Sequence, residues 1–200
     1  MMLLFVSVIV IIICFTVSSN TYLQIAEGRT EELFDKTNNN LRISMDSPDH
    51  WNSGIISETI SKLNWRLNGI NAINDDASAF FSIINLPSLS NFALPLVQKT
   101  GLFSLFLSQY VTINEEYDIT LSDGSVSHVY SISVTADQFH NLNIPIDKGY
   151  DTILMTTKQG DITYIIVYAT HSGRMFEFEN IFQNILHSVR FGSVSLYNNN

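Results

Sequence analysis

The chain holds a single cysteine, Cys14, among its 200 residues, and that cysteine lies in an N-terminal apolar run. No intramolecular disulfide can form, and no thiolate metal site can be assembled in the folded part. Basic residues are scarce as well: 10 Lys and Arg stand against 19 Asp and Glu, a net charge of -9. A surface of that sign repels phosphate backbones, which excludes general nucleic-acid binding and disfavours anionic membrane surfaces. Asparagines are frequent, yet none opens an Asn-x-Ser/Thr sequon, so no N-glycosylation is predicted.

Catalytic motifs are missing too. There is no G-x-S-x-G, H-E-x-x-H, P-loop, G-x-G-x-x-G or EF-hand loop. His50, His128, His140, His171 and His187 are scattered, without a pair at metal-ligand spacing. The sequence therefore predicts no catalytic residues, no cofactor and a protein that is not an enzyme. Three acidic groupings remain: Asp46 and Asp49 with His50, Asp75 with Asp76, and Glu115, Glu116 and Asp118. Each reads first as a solvated turn. Should one bind a cation, Glu115, Glu116 and Asp118 offer the hard oxygen ligands.

What is present is apolar material: 46% hydrophobic residues against 14% charged, enough for one sizeable core. The first charged side chain is Glu27, and Leu3 to Val17 is apolar apart from Ser7 and Thr16. That run matches the roughly 7–15-residue core of a signal peptide better than a spanning helix of about 20 residues. Residues 1–19 are expected to be a signal peptide or a membrane anchor, with cleavage after Val17-Ser18-Ser19. Cys14 follows Ile13 rather than a small residue, which speaks against lipidation. Residues 20–40 read as a polar tether with a short helical pattern at Glu31 to Phe34, residues 41–192 as the folded domain, and 193–200 as a tail.

Within the domain, Leu41, Ile43 and Met45 alternate with polar residues as a half-buried strand, ended by Ser47-Pro48. Trp51 follows and is expected to plug the core. Ile55 to Ala72 fits helix or strand, with a strand favoured at Lys62 to Leu67. Ala79 to Leu86 is a predicted strand closed by Pro87, and a helix is predicted from Ser88 to about Val111, either buried against the sheet or exposing an apolar patch. Asp123-Gly124 between alternating runs predicts a two-residue hairpin turn. That turn sets Ile119 opposite His128 and Tyr117 opposite Tyr130, with even-numbered residues inward and His128 a satisfied core or rim histidine. Gln138 to Lys148 reads as a surface loop.

The last third is the most organised. Tyr150 to Thr156 alternates, Lys158 to Asp161 turns the chain, and Ile162 to Ala169 is apolar on both faces, which demands a central strand. Phe178, Ile181, Phe182, Ile185, Leu186 and Val189 then recur at helical spacing, with Glu177 and Glu179 near the start and His187 and Arg190 near the end.

The early strand ending in Ser47-Pro48 with Trp51 behind it, the hairpin GYDTILMTTKQGDITYIIVYA and the helix FENIFQNILHSVRF together resemble the PsbP-like family. The resemblance spans about Leu41 to Phe191. It implies an α+β fold, an α-β-α sandwich with a central antiparallel sheet of about six strands and helices on both faces. The lumenal basic tails of photosynthetic members are absent here. Those members look like extrinsic accessory proteins that help hold calcium and chloride, and a related fold binds a small GTPase; neither role transfers to particular residues. The expectation is thus an exported, non-catalytic accessory or binding domain, secreted or held at the cell surface, acting on a protein partner or membrane complex. A carrier of small apolar ligands or lipid is the alternative, and a hydrolase with dispersed Ser, His and Asp a third.

Overall fold

The computed structural model describes residues 30–34, 42–60, 65–85, 111–120, 124, 126–141, 146–159 and 162–191. Strands β3 (Trp51–Ile60), β4 (Trp65–Asn74) and β5 (Ala79–Asn85) form one antiparallel meander. Strands β6 (Thr112–Thr120), β7 (Val126–Val134), β8 (Tyr150–Gln159) and β9 (Ile162–His171) form a second. The two meanders join because β9 pairs with β5, which gives a seven-stranded antiparallel sheet in the order β3-β4-β5-β9-β8-β7-β6.

The two-faced apolar strand takes the position its pattern requires. β9 is the fourth of seven, and Thr163 through Thr170 are buried without a break. Its even-numbered residues Tyr164, Ile166 and Tyr168 meet the helix α2 (Met175–Ser188), while Ile165, Val167 and Ala169 face the other way. Helix α2 buries Phe182 and Ile185, with Val189 behind them, against Phe81, Ile83, Met155 and Ile166. The opposite sheet face is closed as well, with Phe80, Ile84, Tyr130, Ile132 and Leu154 all buried.

Several expectations change. The sheet has seven strands rather than about six, because the ambiguous stretch before Ala72 is two long strands, not one short strand over Lys62 to Leu67. Gly69 explains part of the poor local signal: a Cβ there would run into the carbonyl oxygen of Ile83, so the strand needs a residue that carries no β propensity. The predicted early strand, β2 (Arg42–Asp46), does not join the main sheet. It pairs with β1 (Thr30–Phe34) and β10 (Arg190–Phe191) in a separate three-stranded sheet that pushes Ile43 and Met45 into the core. Thr30–Phe34, placed by the sequence inside a tether with a helical pattern, is therefore a strand, because backbone pairing with β2 outweighs a weak local propensity. Residues 138–148 are not simply a loop: α1 (Ala136–Asn141) carries a fully buried Phe139 whose ring meets Tyr150 edge-on at 6.1 Å.

Other expectations hold. Trp51 is buried and packs edge-on against Phe178, with ring centroids 6.2 Å apart. Of the helices described, α2 covers one face of the sheet; the helix predicted from Ser88 to Val111 lies outside the described residues except for the buried Val111. No helix among the described residues is long and apolar enough to cross a membrane.

Candidate functional site

The hairpin of β6 and β7 decides the chemistry of one edge of the sheet. Thr120 pairs with Val126, Asp118 with His128 and Tyr117 with Val129, one residue away from the register that a two-residue Asp-Gly turn would give. The connection therefore has an odd number of residues. Gly124 within it has φ 83°, in the left-handed region that favours glycine. A one-residue slip moves every side chain to the other face. His128 keeps its place in the even-numbered row, at the rim beside the buried Tyr130 and Ile132, but it now faces Asp118 in place of Ile119 and is satisfied by two carboxylates. Its Nδ1 lies 2.6 Å from Asp118 and its Nε2 2.8 Å from Glu116, with the ring edge-on to Tyr130 at 4.8 Å.

The same register separates the acidic group that might have held a cation. Glu115 shares the α2 face of the sheet with Tyr117 and Ile119, while Glu116 and Asp118 share the other face with His128. Glu116 and Asp118 bind opposite sides of one imidazole ring, so they do not converge on a point either. Among the described residues, no group of three or more His, Cys, Asp or Glu side chains is arranged to hold a metal ion. A bulge at Asn114 shifts the register of β6, and Asn114 starts a polar relay: its side chain donates to Ser133, which donates to Asp151, which accepts from the Gly173 amide.

On the α2 side this register builds a cleft of about 230 Å³. Tyr117, Ile119 and Thr120 of β6 form one wall, Phe182, Gln183, Leu186 and His187 of α2 the other, and Val129, Ile153 and Met155 the floor. The floor is apolar because these positions alternate inward, and the polar groups Thr120, Gln183 and His187 mark its rim. Tyr117 is 43% exposed at the mouth.

A second polar group sits at the end of the sheet where β4 turns into β5 and β9 meets α2. The Asp76 carboxylate accepts from the Ser78 hydroxyl at 2.6 Å, the Ser78 amide at 3.0 Å and the Asn74 amide at 2.7 Å. Those bonds hold its carboxyl below the usual range, with Arg174, 3.7 Å away, adding to the effect. Arg174 also bridges to Glu177 at 2.7 Å and lies over the Phe178 ring, which fixes the start of α2 in the absence of a side-chain cap. His171 shares a 3.0 Å hydrogen bond with the Tyr150 hydroxyl, and burial pushes its imidazole below the ordinary histidine value. These contacts lock the turn between β4 and β5 and the start of α2. Asp46, Asp49 and His50 lie at the exposed turn between β2 and β3, with His50 at φ 66°.

Tyr168 is buried beneath α2. Its ring stacks on Phe182 with centroids 4.3 Å apart, and burial, with Glu179 nearby, holds its hydroxyl above the ordinary phenol range.

No family model matches the chain, and no curated protein matches it in sequence. Among solved structures, a Pseudomonas aeruginosa protein of unknown function, described as a candidate regulator, is 10% identical with a TM-score of 0.43, over 80% of this chain and 96% of its own. Cyanobacterial PsbP from Synechocystis, solved in solution, is 12% identical with a TM-score of 0.45, over 84% of this chain and 95% of its own. At that distance the chain is similar to both, and its function is to be argued from its own residues.

Proposed function

We propose that this chain is an exported, non-catalytic binding domain whose cleft between α2 and β6 receives an apolar anchor from a protein partner or a membrane-bound complex. The cleft is the observation that supports this reading. It combines an apolar floor of Val129, Ile153 and Met155 with a hydrogen-bonding rim of Thr120, Gln183 and His187. At about 230 Å³ it is smaller than the roughly 300–1,000 Å³ of sites that engulf a small-molecule ligand. It suits a single aliphatic or aromatic side chain, the anchor-in-pocket arrangement that dominates protein interfaces. The same size argues against a carrier that encloses a whole lipid. The net charge of -9 favours a partner with a basic surface. Export rests on the apolar run Leu3 to Val17, and the accessory role implied by the sequence resemblance accords with such a domain.

The test is photo-crosslinking from a benzoylphenylalanine placed at Gln183, on the cleft rim, in the cells that produce the protein. One discrete adduct is expected there and none from the same group at Asp75, an exposed position on the turn between β4 and β5. Matching adducts from both positions, or none from either, would contradict the proposal.

A further inference from the structure

The wall of the cleft is the terminal strand of the sheet. β6 stands last in the strand order, with β7 on one side and no strand beyond it among the described residues. Its residues are mostly exposed: Thr112, Asn114 to Asp118 and Thr120 all face solvent, and only Ile113 and Ile119 are half-buried. A terminal strand of this length offers a row of backbone groups to an incoming chain, and proteins ordinarily guard such edges with charge and bulges. Both guards are present. Asn114 bulges near one end, and Glu115, Glu116 and Asp118 put negative charge on both faces of the strand.

These guards are selective. Two copies of this edge laid side by side would bring carboxylate against carboxylate, and like charges directly opposite across a ladder are destabilising. A strand carrying Lys or Arg would meet the opposite sign at the same positions. The cleft continues from this edge, because Tyr117 and Ile119 belong to both. A strand added about 4.8 Å beyond β6 has every second side chain on the cleft face. One of these would lie beside Ile119, at the mouth of the cleft.

Building on the binding reading above, we infer that β6 accepts an extended segment of a partner protein by strand addition, a segment alternating basic and apolar residues that rests one apolar side chain against Ile119 and Tyr117 at the mouth of the cleft. Main-chain hydrogen bonds supply affinity in such complexes, and alternate side-chain pockets supply selectivity. The acidic edge chooses a basic strand, and Ile119 and Tyr117 offer its apolar side chains a contact.

The probe is a capped octapeptide alternating Lys and Val, titrated into isotope-labelled full-length protein and followed by amide NMR. Companion probes replace Lys by Glu or Val by Ser. The inference expects shifts along Thr112 to Thr120 and, more weakly, along Val126 to Val134, with both companion probes weaker by about tenfold or more. Binding should weaken as salt rises. Glu115→Lys, at an exposed position, should lessen the preference for the Lys probe without unfolding the chain. Equal affinity for the Lys and Glu probes, shifts that bypass β6, or self-association through β6 in place of peptide binding would each overturn it. Should the probes fail while Gln183 still crosslinks one partner, strand addition falls and the binding reading stands; failure of both removes both.

Discussion

Truncating Phe182 to alanine is the sharpest test of how α2 is held to the sheet. Phe182 is 7% exposed, stacked on Tyr168 with an interplanar angle of 12° and tilted against Phe81 at 6.1 Å. A buried aromatic side chain removes roughly 150–250 Å² from water, which at about 25 cal/mol per Å² is a gross stabilisation of about 4–6 kcal/mol. Alanine keeps a fraction of that, and the vacated space opens into the neighbouring cleft, so water entry relieves part of the cavity penalty. The expected loss is therefore about 3–4 kcal/mol, toward the lower end of Phe-to-Ala substitutions in cores. Urea unfolding of the two proteins reads this directly, as a lower midpoint with an unchanged slope. Phe176→Ala is the internal control, because Phe176 is 74% exposed on the same helix and should change stability by no more than about 0.5 kcal/mol. A Phe182→Ala loss below about 1 kcal/mol, or equal effects at the two positions, would refute the packing of α2 described here.

Gly69→Ala should destabilise by at least about 1–3 kcal/mol, since its Cβ meets backbone atoms of Ile83 and Ile84 that the sheet cannot move; thermal unfolding checks this. Tyr168→Phe removes a buried hydroxyl that finds no hydrogen-bond partner among the described residues, so stability should stay level or rise by up to about 1 kcal/mol, and a loss of that size would show a further partner. His171 has its folded-state value below the ordinary 6.5, so the unfolded chain takes the proton first as pH falls below 6.5, and stability drops in that direction. His171→Gln should flatten that acid limb in denaturant curves taken between pH 7 and 5. The register of β6 and β7 predicts that cysteines at Ile119 and Ser127 oxidise to a disulfide, whereas cysteines at Ile119 and His128 do not, as a reducing-gel shift would show.

The parts legible in the sequence were those where one physical demand dominates. An apolar pattern on both faces admits only an internal strand, and β9 is central; helical spacing from Phe178 to Val189 left α2 no other reading. The buried position of Trp51 followed from its place behind a strand stop. Failures occurred where long-range pairing decides. The strand at Thr30–Phe34 exists through its ladder with β2, and β4 runs through Asn68, Gly69, Asn71 and Asn74, residues with little strand preference of their own. The cleft was hidden by a single choice of loop length. Reading Asp123-Gly124 as a two-residue turn put Tyr117 and Ile119 on the face of His128 and Tyr130; the observed register sets Glu116 and Asp118 there and turns Tyr117 and Ile119 to the face of Val129 and Met155. Dipeptide statistics alone do not fix the length of such a loop.

If the proposed cleft between α2 and β6 holds the partner, filling it must weaken capture. The most direct measurement compares capture of the Gln183-crosslinked partner by the native chain and by Leu186→Trp, which fills the cleft from its α2 wall, after both are shown to unfold cooperatively. The account predicts that filling the cleft lowers affinity by about tenfold or more. Undiminished capture by the filled variant would contradict it.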